Sequence, residues 1–202
     1  MAAAEHRCRS AIAGMNPSRS ASAAAAASIR CFVALQPDED AREQLDRLAR
    51  AQQARFPASR RMRRENLHLT LAFIGALDAT LAREVASRLA AERFEPFAWS
   101  LDAVGTFGGA RVLWAGGSDA RLDALAASSR RLLGELRVRF DRKAFVAHVT
   151  LLRKVPREAA REAPGPIDPP ILWHAAAPVL LQSRTDAQGT HYAPVSVPGD
   201  NG

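Results

Sequence analysis

Lysine is nearly missing from this chain. Lys143 and Lys154 are the only two among 28 lysines and arginines, so the positive charge is almost wholly arginine. With abundant alanine beside it, that bias is what a GC-rich coding sequence produces, and it does not by itself mark a selected arginine surface. The excess of +7 still favours polyanionic partners, nucleic acid above all, because clustered cations gain from counterion release and steering. Cysteine is scarce as well. Cys8 and Cys31 cannot build a disulfide framework, and Cys31 lies in an apolar run, so a reduced chain in a cytosol-like compartment is expected. No apolar run approaches the roughly 20 residues of a spanning helix, so no membrane association is expected.

Several chemical signatures are also absent. There is no H-E-x-x-H, no C-x-x-C, and no carboxylate set at ligand spacing beside the histidines discussed below, so no metal is expected. The lack of G-x-S-x-G excludes a nucleophile elbow, and the lack of a glycine fingerprint excludes a dinucleotide fold. No cofactor is expected.

What is present begins with a low-complexity start. Residues 1–28, ending in "SRSASAAAAAS", have Glu5 as their only acid and no period that would bury a face. They are expected to form a disordered extension, with an organelle transit peptide as the alternative to a cytoplasmic protein. A single domain over 29–198 with a short tail at 199–202 follows, and 48% hydrophobic residues support a sizeable core.

Within that domain "IRCFVAL" at 29–35 reads as a strand, and Asp38 can cap a helix through about Gln53. A strand at 67–74 ends at Gly75, and Asp78 opens a helix with Leu81, Val85 and Leu89 on one stripe. "FAWSLDAVG" and "RVLWAGG" follow as strands, then a helix over 119–139 and a strand around His148. A Pro-rich loop is expected from Pro156 to Pro170, then two strands, "ILWHAAAPVLLQSR" and "THYAPVSV". Strand pairs and helices without a strict βαβ rhythm suggest an α+β protein with two similar lobes.

One pattern occurs twice. In "ENLHLTLAFIG", His68 and Thr70 alternate with Leu67, Leu69, Leu71 and Phe73, which are expected on the opposite face. In "AFVAHVTLLRK", His148 and Thr150 alternate with Val149 and Leu151. A single histidine on a sheet face is commonly structural. Two copies, brought together across a groove, would converge two imidazoles and two hydroxyls. Such a set suits phosphoryl chemistry without a metal: one imidazole takes a proton from water, the other gives one to the leaving oxygen, and the hydroxyls hold phosphate. Arg153 falls on the Leu151 side of a regular strand, so it reaches the groove only through a bulge or the strand end. His6, His174 and His191 read as background.

These blocks, with "RCFVAL", "RVLWAGG" and an arginine five residues after the second histidine, resemble the two-histidine phosphoesterases over roughly residues 29–197. The branch they look most like is the RNA 2′,3′-cyclic phosphodiesterases, historically called 2′-5′ RNA ligases. The resemblance implies a bilobal α+β fold of two pseudo-symmetric lobes around a central groove, no metal or cofactor, and RNA ends bearing a 2′,3′-cyclic phosphate as partner; a monomer is expected. It implies that His68 and His148 are catalytic, with His148 activating water and His68 protonating the leaving 3′ oxygen to give a 2′-phosphate. Thr70, Thr150 and Arg153 would bind phosphate, and Phe32 matches a position that could touch the nucleotide. Ala147 departs from the family, where proline is frequent. An RNA-end binder without turnover, a 2′-5′ ligase and a phosphodiesterase of small cyclic nucleotides are the alternatives.

Overall fold

Each α-helix of the described residues begins where an aspartate caps it. In the computed structural model, which describes residues 27–158, 165–187 and 189–197, α1 (Glu39–Arg55) follows Asp38, whose carboxylate accepts from Ala41 N at 2.8 Å. α2 (Ala79–Ala91) follows Asp78, which accepts from Thr80 N and Leu81 N, and α3 (Ala120–Glu135) follows Asp119, which accepts from Arg121 N. These bonds satisfy amide donors that a helix start leaves open. Each helix then buries one stripe at helical spacing: Ala41, Leu45 and Ala49; Ala82, Val85 and Leu89; Leu122, Ala126 and Leu133.

Among the described residues nine strands form one sheet: β1 (Ser28–Leu35), β2 (Arg60–Arg61), β3 (Leu69–Asp78), β4 (Phe97–Phe107), β5 (Val112–Gly116), β6 (His148–Arg153), β7 (Gly165–Ala175), β8 (Val179–Asp186) and β9 (Gly189–Pro194). Their order is β7-β4-β5-β6-β3-β1-β8-β9, with β2 added beside β6. All pairings are antiparallel. The sheet is two halves, β7-β4-β5-β6 with β2 and β3-β1-β8-β9, joined at β6 and β3 by a single residue pair, Leu69 with Val149. Helix α1 packs on β6 and β7 of one half, while α2 and α3 cover β1, β3 and β8 of the other. This is the expected α+β, two-lobed architecture. The core includes Trp99 and Trp173, paired across β4 and β7 with ring centroids 5.4 Å apart.

Four expectations are corrected. Pro166, Pro169 and Pro170 lie in β7 and not in a loop, which an edge strand tolerates because proline lacks only the ladder donor. The run 171–184 divides into β7 and β8, joined through residues 176–178. Gly75 does not end β3: at φ +91° it lies in a bulge, with Cys31 opposite Gly75 but Phe32 opposite Phe73. Helix α3 stops at Glu135 and not at 139, because Arg137 turns left-handed (φ 56°). Val138 N then donates to Leu133 O and Arg137 N to Gly134 O, a Schellman cap. The extension assigned to 1–28 and the tail at 199–202 lie outside the described residues, except that Ala27 and Ser28 belong to the fold. Ala27 O accepts from Ala79 N and Ser28 pairs with Asp78.

Candidate active site

The junction of the two halves falls inside the doubled motif. Leu69, between His68 and Thr70, pairs with Val149, between His148 and Thr150. His68 itself lies just ahead of β3, whereas His148 is the first residue of β6. Antiparallel register carries His68 toward Thr150 and Thr70 toward His148, so all four face one groove.

Each strand then carries a bulge at the same place. Val33 pairs with Ala72 but Ala34 with Thr70, which leaves Leu71 extra; Leu113 pairs with Leu152 but Trp114 with Thr150, which leaves Leu151 extra. Each bulge inverts the alternation, so Leu71 and Ala72, like Leu151 and Leu152, are both buried. The residue three places after each threonine is thereby turned onto the groove. In β6 that residue is Arg153, and the bulge its placement required is present. In β3 it is Phe73, expected in the core but 38% exposed and stacked under Arg30 at 5.1 Å.

The imidazoles are held alike. Nδ1 of His68 lies 2.7 Å from Asn66 O, and Nδ1 of His148 lies 2.7 Å from Val146 O. A carbonyl only accepts, so each ring carries its proton on Nδ1 and presents Nε2 for chemistry. His68 Nε2 is 3.1 Å from Thr70 Oγ1, whereas His148 Nε2 has no hydrogen-bond partner among the described residues. Phe32, itself buried, and Tyr192 contact the His68 ring at 4.8 and 5.0 Å between centroids, and Phe107 meets His148 edge-on at 4.8 Å. Burial in this setting pushes His68 down to about 4, and the charges of Arg153 and His148 add to that effect. His148 is lowered for the same reason, burial first and then Arg153.

The groove holds about 770 Å³, and among the described residues its lining includes Arg30, Arg60, Arg61, Arg63, Lys143 and Arg153 but no carboxylate. Three of these are neutralised from outside the lining: Arg61 by buried Asp46, Arg63 by Glu65, and Lys143 by Asp141. Arg153 instead donates from Nε to Met62 Sδ at 3.4 Å. An apolar recess of about 690 Å³ adjoins the groove beside His148, walled by Phe73, Phe107, Phe145 and Val146. Among the described residues no three His, Cys, Asp or Glu side chains gather as metal ligands, and no helix is long and apolar enough to cross a membrane.

Sequence reasoning missed Asn66 and Tyr192. Buried Asn66 donates from Nδ2 to Thr190 O at 2.6 Å and accepts from Tyr192 N at 3.1 Å, tying the β8–β9 hairpin to the segment that holds His68. Its position two residues before the histidine was visible, but its partner lies 126 residues away. His174 and His191 do not line the groove: His174 N donates to Asp38, and His191 sits between Arg63 and Asp186. His6 lies outside the described residues.

Two lobes, one His-x-Thr strand from each, and a cationic groove between them define a phosphoesterase of the two-histidine class. The profile of the family described as LigT like Phosphoesterase matches residues 35–114. The RNA 2′,3′-cyclic phosphodiesterase of Archaeoglobus fulgidus is 33% identical over 129 residues, covering 62% of this chain and 72% of that protein. That of Aeropyrum pernix is 36% identical over 94 residues, 44% of this chain and 53% of its own. Among solved structures, E. coli LigT complexed with 3′-AMP matches with a TM-score of 0.71 at 25% identity, over 84% of this chain and 97% of that one. The chain belongs to the LigT-like phosphoesterase family.

Proposed function

We propose that this protein is an RNA 2′,3′-cyclic phosphodiesterase that opens cyclic phosphate ends to 2′-phosphates with His68 and His148 as its acid–base pair. The observation that carries this reading is the matched anchoring of both imidazoles, each held through Nδ1 so that Nε2 faces an arginine-lined groove with no carboxylate among the described residues. Relatives bearing that activity in their names support it. His148 Nε2, without a hydrogen-bond partner among the described residues, takes the proton of the attacking water as oxygen bonds to phosphorus. The bond from phosphorus to the 3′ oxygen breaks, and His68 Nε2, protonated in the substrate complex, supplies that oxygen with a proton. Thr70, Thr150 and Arg153 hold the non-bridging oxygens, and the buried Phe32 positions His68 at the nucleotide.

No metal enters this scheme. The protein works as a monomer in a reducing, cytosol-like compartment; Cys31 has no disulfide partner among the described residues, and burial pushes its thiol up to about 11. The test is incubation with an oligonucleotide ending in a 2′,3′-cyclic phosphate. A 2′-phosphate product is expected; an uncleaved ring or a 3′-phosphate would refute the reading.

A further inference from the structure

Along the sheet, Arg60 in β2 stands directly opposite Arg153 in β6. Like charges in that relation repel at strand-to-strand distance, and among the described residues no carboxylate lines the groove between them. Their neighbours differ: Arg61, Arg63 and Lys143 each have an acidic partner, while Arg60 and Arg153 form no ion pair among the described residues. Both side chains are exposed, so solvent screens part of this repulsion, and an anion bound at either guanidinium group removes more of it. One phosphate at the histidines accounts for Arg153. Arg60 is directed elsewhere: its terminal nitrogen approaches Gly189 at the β8–β9 hairpin, where the Thr185 and Thr190 hydroxyls lie 3.4 Å apart and line the same groove.

We propose that Arg60, Thr185 and Thr190 form a second anion subsite that takes the phosphodiester immediately 5′ of the cyclic end. This assignment rests on the cyclic phosphodiesterase reading and narrows it: the preferred substrate is a chain end and not a free nucleoside cyclic phosphate. Arg60 supplies the charge and the two hydroxyls supply hydrogen bonds. The hairpin is also joined to the His68 segment through Asn66, so occupancy of the subsite seats the terminal nucleotide at the imidazoles.

The test compares kcat/KM for three probes: a nucleoside 2′,3′-cyclic phosphate, the same compound carrying a 5′-phosphate, and a dinucleotide ending in the cyclic phosphate. In the native protein the 5′-phosphate should raise kcat/KM about tenfold or more, the scale of one charge-assisted hydrogen-bonded contact. In Arg60→Ala, and in Arg60→Gln as a variant that retains polar contacts, the ratio of phosphorylated to unphosphorylated probe should fall to within about twofold of one. The salt slope for the dinucleotide should flatten by about one. A native ratio near one, or a ratio unchanged by Arg60→Ala, overturns the subsite. If the native protein opens none of the three probes, the hydrolase reading itself falls first.

Discussion

Two backbone carbonyls, those of Asn66 and Val146, determine what the imidazoles can do. By accepting from Nδ1 they leave both Nε2 atoms facing the groove, and burial then makes the protonated forms costly. Catalysis needs one proton shared by the pair, and kcat/KM reports the free protein. Because both histidines are lowered from 6.5, and His68 to about 4, the kcat/KM profile should be a bell with its maximum below pH 6.5. A maximum above pH 7 would show that the site does not disfavour imidazolium. Stability carries the same sign. Between pH 6.5 and about 4 the unfolded chain binds a proton at His68 that the folded chain refuses. This contribution is whole above 6.5 and is lost as pH falls toward 4. His68→Asn should therefore lose less stability than the native protein between pH 7 and pH 4.5 in urea titrations. An unchanged slope would assign the acid sensitivity elsewhere.

At the scale of elements, the strands were readable and their irregularities were not. The apolar runs and aspartate caps of β1, α1 and α2 are local signals, so their placement follows from nearby residues. The bulges after Thr70 and Thr150 are set by partners on β1 and β5, and period two alone misplaced Phe73 in the core. The α3 stop was hidden for a related reason: the Schellman turn uses Arg137, where glycine or asparagine is the usual sign. The prolines of β7 read as loop because nothing local says that the strand lies at the sheet edge. Two measurements follow. Arg153→Ala should stay folded and lose about 10- to 100-fold in kcat/KM, as expected for a charged phosphate contact; native kinetics would remove Arg153 from the site. Gly75→Ala should cost about 1–3 kcal/mol in unfolding free energy, because alanine resists the positive φ of that bulge. An unchanged urea midpoint would show that the bulge relaxes freely.

For the whole molecule, the site exists because two halves of one sheet meet at Leu69 and Val149 and each brings one histidine to the seam. The groove is cationic, so rising salt should weaken binding of an oligonucleotide more than of a mononucleotide. Turnover should survive prolonged EDTA without stimulation by added zinc or magnesium; activity lost on chelation and restored by one ion would replace this mechanism. The most direct test of a single site shared by both halves is a kinetic cycle of His68→Ala, His148→Ala and the double variant on a cyclic-phosphate oligonucleotide, with folding checked for each. Each single change should cut kcat by about 10² or more, and the double variant should fall well short of the product of the two losses. Undiminished turnover in either folded single variant, or losses that multiply in full, would contradict a shared acid–base pair.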